Sequence, residues 1–185
     1  MNTISLSGLP RADVGKRGSM LLRQEGKIPC VLYGNQGQVH FWAYGYDVNQ
    51  ILSTEETFKI NITIEGKTYE SILQESQIHP VNNSIVHVDF LMLEADKPVK
   101  VAVRLEYVGS SPGVRVGGKF TARVRKLKIK ALPANLPSSI KVDISELELG
   151  KSIRVKEVVA EGFTILESPN NPICSIVVPR SMRGK

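Results

Sequence analysis

Two groups of residues in the first half of the chain carry side chains that could recognise a polyanion with flat bases. In the segment 15–34, Lys16 and Arg17 stand between two glycines. Glycine lets a backbone approach a ligand closely, so cations placed beside it can reach phosphate groups. Tyr33 follows on a predicted strand, and an aromatic ring can stack on a base or contact a sugar. The segment therefore combines two of the chemistries that RNA binding uses.

The second group is the tetrapeptide His87-Val88-Asp89-Phe90, which also lies on a predicted strand. Because successive side chains of a strand project to opposite faces, His87 and Asp89 share one face. A solvated strand face is the simplest interpretation. If the face is functional, the pair fits either of two roles. It could form the general-base dyad of an enzyme, or it could contact base edges and 2′-hydroxyls of RNA.

The sequence gives little support to metal binding or catalysis. The three histidines, His40, His79 and His87, show no ligand spacing, and the two cysteines, Cys30 and Cys174, are far apart. The phosphate-binding motif GxxxxGK(S/T) and the dinucleotide-binding motif GxGxxG are absent. We therefore expect no catalytic residue, no metal and no cofactor. The cysteine usage indicates a reducing compartment without a disulfide.

The composition is typical of a folded protein, and its charge is distributed unevenly along the chain. Of the 185 residues, 42% are hydrophobic and 23% charged, and the net charge of +6 favours an acidic partner, nucleic acid before an anionic membrane. No apolar run suits a signal peptide or a membrane span, so we expect a cytoplasmic protein without a membrane partner. Residues 1–94 hold seven Lys and Arg against ten Asp and Glu, a net of −3, and residues 95–185 hold seventeen against eight, a net of +9. Charge alone would place polyanion binding in the second half.

The alternation of apolar and polar residues predicts a mainly β fold. Residues 1–94 are expected to form a small β-barrel with short helices, and residues 95–185 a second, mostly β domain. The boundary is predicted in the polar, proline-containing stretch 94–98. The most regular strand patterns cover 58–64, 67–78 and 99–108.

Other segments give weaker patterns. Ser19 is predicted to be the N-cap of one or two helical turns that include Met20–Gln24 and end near Gly26. The glycine-rich segment 108–119 reads as a long, mobile loop. The basic segment 119–130 reads as a strand with a bulge near Lys126, because its apolar residues change parity there. A single helical turn is predicted over 145–149.

Several of these motifs together resemble a known family. In the first half they are GKRGSMLLRQEGKIPCVLYG, then Gln77-Ile78-His79-Pro80 and His87-Val88-Asp89-Phe90. In the second half they are GVRVGG over 113–118, Leu132-Pro133, and Val142-Asp143-Ile144 followed by Leu149-Gly150. The chain resembles, over nearly its whole length, the bacterial large-subunit ribosomal proteins that bind 5S rRNA. It is similar to their long two-domain form, the general stress protein (CTC) type.

The resemblance implies that the first domain is a β-barrel that grips the loop E region of 5S rRNA. It leaves neighbouring ribosomal proteins as a further partner of the second domain. By position it assigns RNA contacts to nine residues: Arg11, Lys16, Arg17, Ser19, Arg23, Tyr33, Gln77, His87 and Asp89. The net charge of the first half is then no obstacle, because residues 11–27 hold five basic residues against two acidic ones.

One departure from the family pattern and two alternatives remain. The family often has two arginines soon after the serine, where this chain has Met20 and Leu21. A small enzyme that uses His87 and Asp89 in a barrel cleft is one alternative function. A translation or stress factor that binds ribosomes transiently is the other.

Overall fold

Strands dominate both halves of the chain. The computed structural model describes residues 3–35, 37–54 and 56–179. Two compact units are present, one running through Lys97 and the other beginning at Pro98. The prediction of a mainly β fold is confirmed, with a closed barrel in the first unit and open sheets in the second. Across the described residues, no helix combines the length and apolar character that crossing a membrane requires.

The first unit is a closed barrel with two short helices. Its elements are β1 (Thr3–Pro10), α1 (Lys16–Gln24), β2 (Lys27–Gly34), β3 (Gly37–Tyr44), α2 (Gly45–Ser53), β4 (Lys59–Ile64), β5 (Lys67–Ile78) and β6 (Ile85–Met92). The strands follow each other around the barrel in the order β1-β3-β2-β6-β5-β4. Closure leaves these strands without a free edge, which protects the barrel from pairing with other chains.

Alternate residues of each barrel strand fill the interior. In β4, Ile60, Ile62 and Ile64 are buried while their neighbours are partly exposed. At the centre, the rings of Phe41 and Phe90 lie 5.9 Å apart, and both side chains are fully buried. This packing fixes the faces of the strands, so the residues between the core positions must project from the outer surface.

The second unit consists of two open sheets. Its elements are β7 (Val99–Val108), α3 (Pro112–Arg115), β8 (Lys119–Ala122), β9 (Lys126–Ala131), β10 (Ile140–Asp143), β11 (Ser152–Arg154), β12 (Phe163–Ile165) and β13 (Pro172–Val177), with 3₁₀ turns at Pro133–Asn135 and Val155–Glu157. One sheet has the order β10-β7-β9-β12 and the other β11-β13-β8. Both cysteines of the chain are free, buried thiols, Cys30 in the barrel and Cys174 on β13.

The glycine-rich segment after β7 is not the long loop that was predicted. It contains α3, whose N-cap is Ser111: the Ser111 hydroxyl accepts from the Gly113 N–H at 3.1 Å and donates to the Leu147 carbonyl. Gly113 is buried, and a Cβ there would lie 2.7 Å from backbone atoms of Glu148 and Leu149, so the backbone approach requires glycine. Residues 109–113 also spell GxSxG, the letters of a hydrolase nucleophile motif. The second unit has no histidine to serve as a base, and the Ser111 hydroxyl is committed to the cap.

Two further predictions for the second unit were wrong. The basic segment 119–130 is not one bulged strand, because β8 and β9 belong to different sheets and the chain between them crosses from one sheet to the other. Residues 145–149 form turns rather than a helix. There the Asp143 carboxylate accepts from the Ser145 N–H at 2.8 Å, which gives the backbone a local alternative to helical hydrogen bonds.

Candidate nucleic-acid interface

Helix α1 begins at Lys16, and Ser19 is not its N-cap as predicted. Gly15 occupies the N-cap, and its N–H donates to the Asp13 carboxylate at 3.0 Å. Asp13 thus forms the turn that starts the helix. Ser19 lies in the first turn and donates to the Gly15 carbonyl at 3.0 Å. The sequence pattern favoured Ser19 because serine is a common cap, but the N-cap is Gly15, which makes no side-chain capping hydrogen bond.

Arg11 is held between the barrel and α1. Its backbone N–H donates to the His40 carbonyl at 3.1 Å, which continues the pairing of β1 with β3. One terminal guanidinium nitrogen donates to the Ser19 hydroxyl at 3.4 Å. The Nε atom is buried and has no hydrogen-bond partner within the described residues. Two of the predicted site residues therefore contact each other, and this arginine has an unused donor.

Arg23 ties the other end of α1 to the barrel. Its Nε donates to the Val86 carbonyl of β6 at 3.0 Å, while the side chain as a whole remains exposed. Lys16 and Arg17 are exposed in the first turn of the helix. Neither has an ion-pair partner in the part of the chain that the structure describes. Arg23 positions the helix on β6, and the other two cations are available to a ligand.

Strands β2 and β6 place the tyrosine and the His–Asp pair on one surface. The two strands are parallel neighbours, with Tyr33 opposite Leu91. Leu32 and Phe90, which precede these two residues, are buried in the barrel core. Because side chains alternate, Tyr33 and Asp89 both project from the outer surface. The structure thus brings the tyrosine of the first motif beside the strand of the second.

A β-bulge brings Gln77 to the same surface. The pairing of β5 with β6 skips Gln74, so that Glu75 lies opposite Asp89. An inserted residue reverses the alternation of the side chains that follow it. Gln77 therefore lies opposite His87 and is exposed, whereas strict alternation would have turned it into the barrel.

The His87–Asp89 pair forms the centre of this surface. The Nδ1 atom of His87 lies 2.7 Å from Oδ1 of Asp89, and about a quarter of each side chain is exposed, 26% and 25%. Oδ1 is inaccessible to solvent and accepts no hydrogen bond of good geometry, so the two atoms are close without forming an aligned hydrogen bond. The Oδ2 atom accepts no hydrogen bond from the described residues. It can accept one from a ligand donor such as a base amino group.

Burial and nearby charges change the pKa values of two residues beside the His87–Asp89 pair. The pKa of Tyr33 is raised, first by its partial burial and then by the charges of Asp89 and Glu75. The pKa of the Cys30 thiol is raised to about 12, mainly by burial. The Arg11 charge lowers that pKa, and the Asp89 charge raises it. At neutral pH the Tyr33 hydroxyl is therefore a neutral hydrogen-bond donor, and Cys30 is an unreactive core residue.

The structure adds two residues to the predicted set. Glu75 joins the surface through the bulge, and His40 lies opposite Val31, the β2 residue that is itself opposite Asp89. The residues of β5 around Gln74 contain no signal for the bulge, so Glu75 could not be placed from the sequence. No group of three or more His, Cys, Asp or Glu side chains within the described residues is arranged as a metal site.

Comparison with known proteins gives two family matches and full-length relatives. The sequence model of the Ribosomal L25p family matches residues 6–90, and that of the ribosomal protein TL5 C-terminal domain matches residues 98–180. The large ribosomal subunit protein bL25 of Cytophaga hutchinsonii is 40% identical over 183 residues, which cover 99% of this chain and 95% of the relative. The bL25 of Porphyromonas gingivalis is 40% identical over 186 residues, covering 100% and 97%. That of Amoebophilus asiaticus is 38% identical over 184 residues, covering 100% and 94%.

These relatives are ribosomal proteins rather than enzymes, so the enzyme alternative for His87 and Asp89 is excluded. Their alignment spans both units, and the two family models divide the chain between the barrel and the second unit. The resemblance drawn from the sequence motifs is confirmed. The chain belongs to the bL25 family of large ribosomal subunit proteins, in the long form that carries a TL5-type C-terminal domain.

Proposed function

We propose that the first unit, predicted as residues 1–94, binds the loop E region of 5S rRNA and that the protein is a structural constituent of the large ribosomal subunit. The binding surface, called here the α1–β6 face, is formed by α1 and the outer sides of β2, β6 and β5. The observation that carries the proposal is the convergence on this face of exposed cations, a neutral tyrosine and the His87–Asp89 pair. The side chains that contact phosphate, sugar and base would then lie next to each other.

The residues of the α1–β6 face divide into two kinds of contact. Lys16 and Arg17 are exposed cations that suit phosphates, which position the RNA without reading its sequence. Tyr33 suits a stacking or ribose contact. Asp89 repels phosphate but accepts hydrogen bonds from base amino groups, and Gln77 can pair with either edge of a base. Specificity would therefore depend on the strand residues, and the helix would supply affinity.

The family supports the remaining parts of the proposal. The relatives are named as large ribosomal subunit proteins, which implies a cytoplasmic protein in bacteria. A structural constituent should be present in about one copy per large subunit after a high-salt wash, because a buried RNA interface dissociates slowly. A transient translation or stress factor should be washed off. The two outcomes can be measured by quantitative mass spectrometry of washed subunits, with 5S rRNA followed in the same fractions.

We predict that adding two arginines to α1 strengthens RNA binding. Met20 and Leu21 are 52% and 49% exposed, so Met20→Arg with Leu21→Arg introduces charge without opening the core. Each new phosphate contact should steepen the salt dependence of log K by about 0.7–0.9. A salt titration of the full-length double variant against 5S rRNA measures this slope.

The matched control places one arginine at Tyr46, which is 80% exposed in α2 and lies outside the α1–β6 face. If α1 faces the RNA, the salt slope should increase more per added charge in the double variant than in Tyr46→Arg. If the salt slope increases equally per added charge in both variants, α1 does not lie on the RNA.

A further inference from the structure

The second unit carries a strongly basic sheet surface that the proposed function does not use. In the sheet β10-β7-β9-β12, alternate residues of β7 and β9 are buried, and the residues between them are exposed. From Val99 to Arg104 of β7 and along the whole of β9, the exposed positions are Lys100, Ala102, Arg104, Lys126, Lys128 and Lys130, and the last part of β7 also exposes Glu106 and Val108. The first six residues, called here the lysine face, contain five cations on two adjacent strands.

The register of the lysine face sets like charges directly opposite each other. Lys100 lies opposite Lys130, and Arg104 lies opposite Lys126. Such cross-strand pairs destabilise a sheet, because neighbouring strands are only about 4.8 Å apart. No ion-pair partner for the four lysines occurs among the described residues. Like charges in this register cost a sheet some stability, and an anion bound over the face would offset that cost.

Among the described residues, the acids near the lysine face do not pair with its four lysines. Glu167 is directed to the backbone N–H of Lys128, at 3.3 Å, rather than to a lysine ammonium. Glu106 lies at the far end of β7, where it accepts from the Ser139 hydroxyl and pairs in register with Lys141 of β10. The centre of the face therefore keeps its positive charge.

We propose that the lysine face docks on the phosphate backbone of RNA. This goes beyond the proposed function, which assigns sequence-specific recognition to the α1–β6 face of the first unit. Along β9 the lysines follow each other at about 6.6–6.8 Å, twice the rise of a strand residue, and so form a straight row of cations. Such a row can follow a line of phosphates, and it reads charge rather than sequence.

The composition of the lysine face favours RNA over the other anionic partners. Protein interfaces use aromatic or large apolar side chains at their centre, and membrane-bound surfaces insert such side chains between lipids. At the middle of this face the only apolar residue is Ala102. Interfaces with nucleic acid are more polar and far more positive, which matches this surface.

The test uses full-length protein with Lys126, Lys128 and Lys130 replaced by glutamine. Its binding to 5S rRNA and to an unrelated RNA hairpin of equal length is measured from about 50 to 200 mM salt. Loss of three phosphate contacts should reduce the salt slope by about 2–3 for both RNAs. The fall in affinity across this salt range should therefore shrink by about 20- to 40-fold. Because like charges are removed, the melting temperature should stay the same or rise.

The matched control removes three exposed lysines elsewhere in the second unit, with Lys119, Lys151 and Lys156 replaced by glutamine. It changes the net charge equally but should leave most of the salt slope intact. Equal losses in both variants, or a wild-type slope in the lysine-face variant, would overturn the proposal. So would unchanged RNA binding together with lost binding to a polyglutamate peptide, because an acidic protein segment would then be the partner. Selective loss of 5S rRNA binding in the control would instead contradict the proposed function.

Discussion

Full-length protein in which Asp89 is replaced by alanine is expected to bind 5S rRNA more weakly by about 1–3 kcal/mol, or roughly 5- to 150-fold. The reason is the loss of a carboxylate that lies on the exposed face of β6 and accepts hydrogen bonds from base amino groups. The sign of the effect is informative, because removing a negative charge should by itself strengthen binding to a polyanion. The affinity can be measured by filter binding or by titration calorimetry.

Asp96→Ala is the matched control for this variant. Asp96 is an exposed acid of the first unit that lies outside the α1–β6 face. Its removal should leave the affinity for 5S rRNA unchanged or slightly higher. If Asp89→Ala behaves like Asp96→Ala, the carboxylate of Asp89 does not contact the RNA.

Replacing Phe90 with alanine is expected to lower the free energy of unfolding of the barrel by about 3–5 kcal/mol. Phe90 is fully buried, and its ring packs 5.9 Å from that of Phe41, so truncation leaves a cavity at the centre of the core. Trp42 is the only tryptophan of the chain and lies on β3, so its fluorescence follows the barrel alone during urea unfolding. The midpoint should fall while the slope of the transition stays the same.

Val101→Ala serves as the comparison for Phe90→Ala. Val101 is buried in β7 of the second unit, so its truncation should leave the transition seen by Trp42 unchanged. A shift of that transition as large as the one produced by Phe90→Ala would show that the barrel does not unfold as its own unit.

Strands with strict alternation could be predicted from the sequence to the residue. Strand β7 has the predicted bounds, because a one-residue shift would turn every apolar side chain of the strand to the solvent. The bounds of β5 were also predicted correctly, although a bulge interrupts its alternation. The elements that failed depend on contacts that are not local. Ser19 was predicted to be the cap of α1, but Asp13 forms the turn that starts the helix.

The candidate site was predictable in its residue types and less so in its geometry. His87 and Asp89 share a face because they are two residues apart on one strand, which the sequence shows directly. Gln77 reaches that face only because the ladder skips Gln74, and a bulge of this kind leaves no mark in the pattern of residues. The link from Arg23 to the Val86 carbonyl spans 63 positions and requires the folded barrel.

The most direct test compares the two units for specificity rather than for affinity. The affinity for 5S rRNA is divided by that for an unrelated hairpin of equal length, at about 200 mM salt. The ratio is determined for the wild type, for the double variant His87→Ala with Asp89→Ala, and for the lysine-face variant. We predict that the ratio collapses toward one in the double variant and is retained in the lysine-face variant, because phosphate contacts carry little sequence information. A ratio that survives in the double variant but collapses in the lysine-face variant would show that the second unit recognises 5S rRNA.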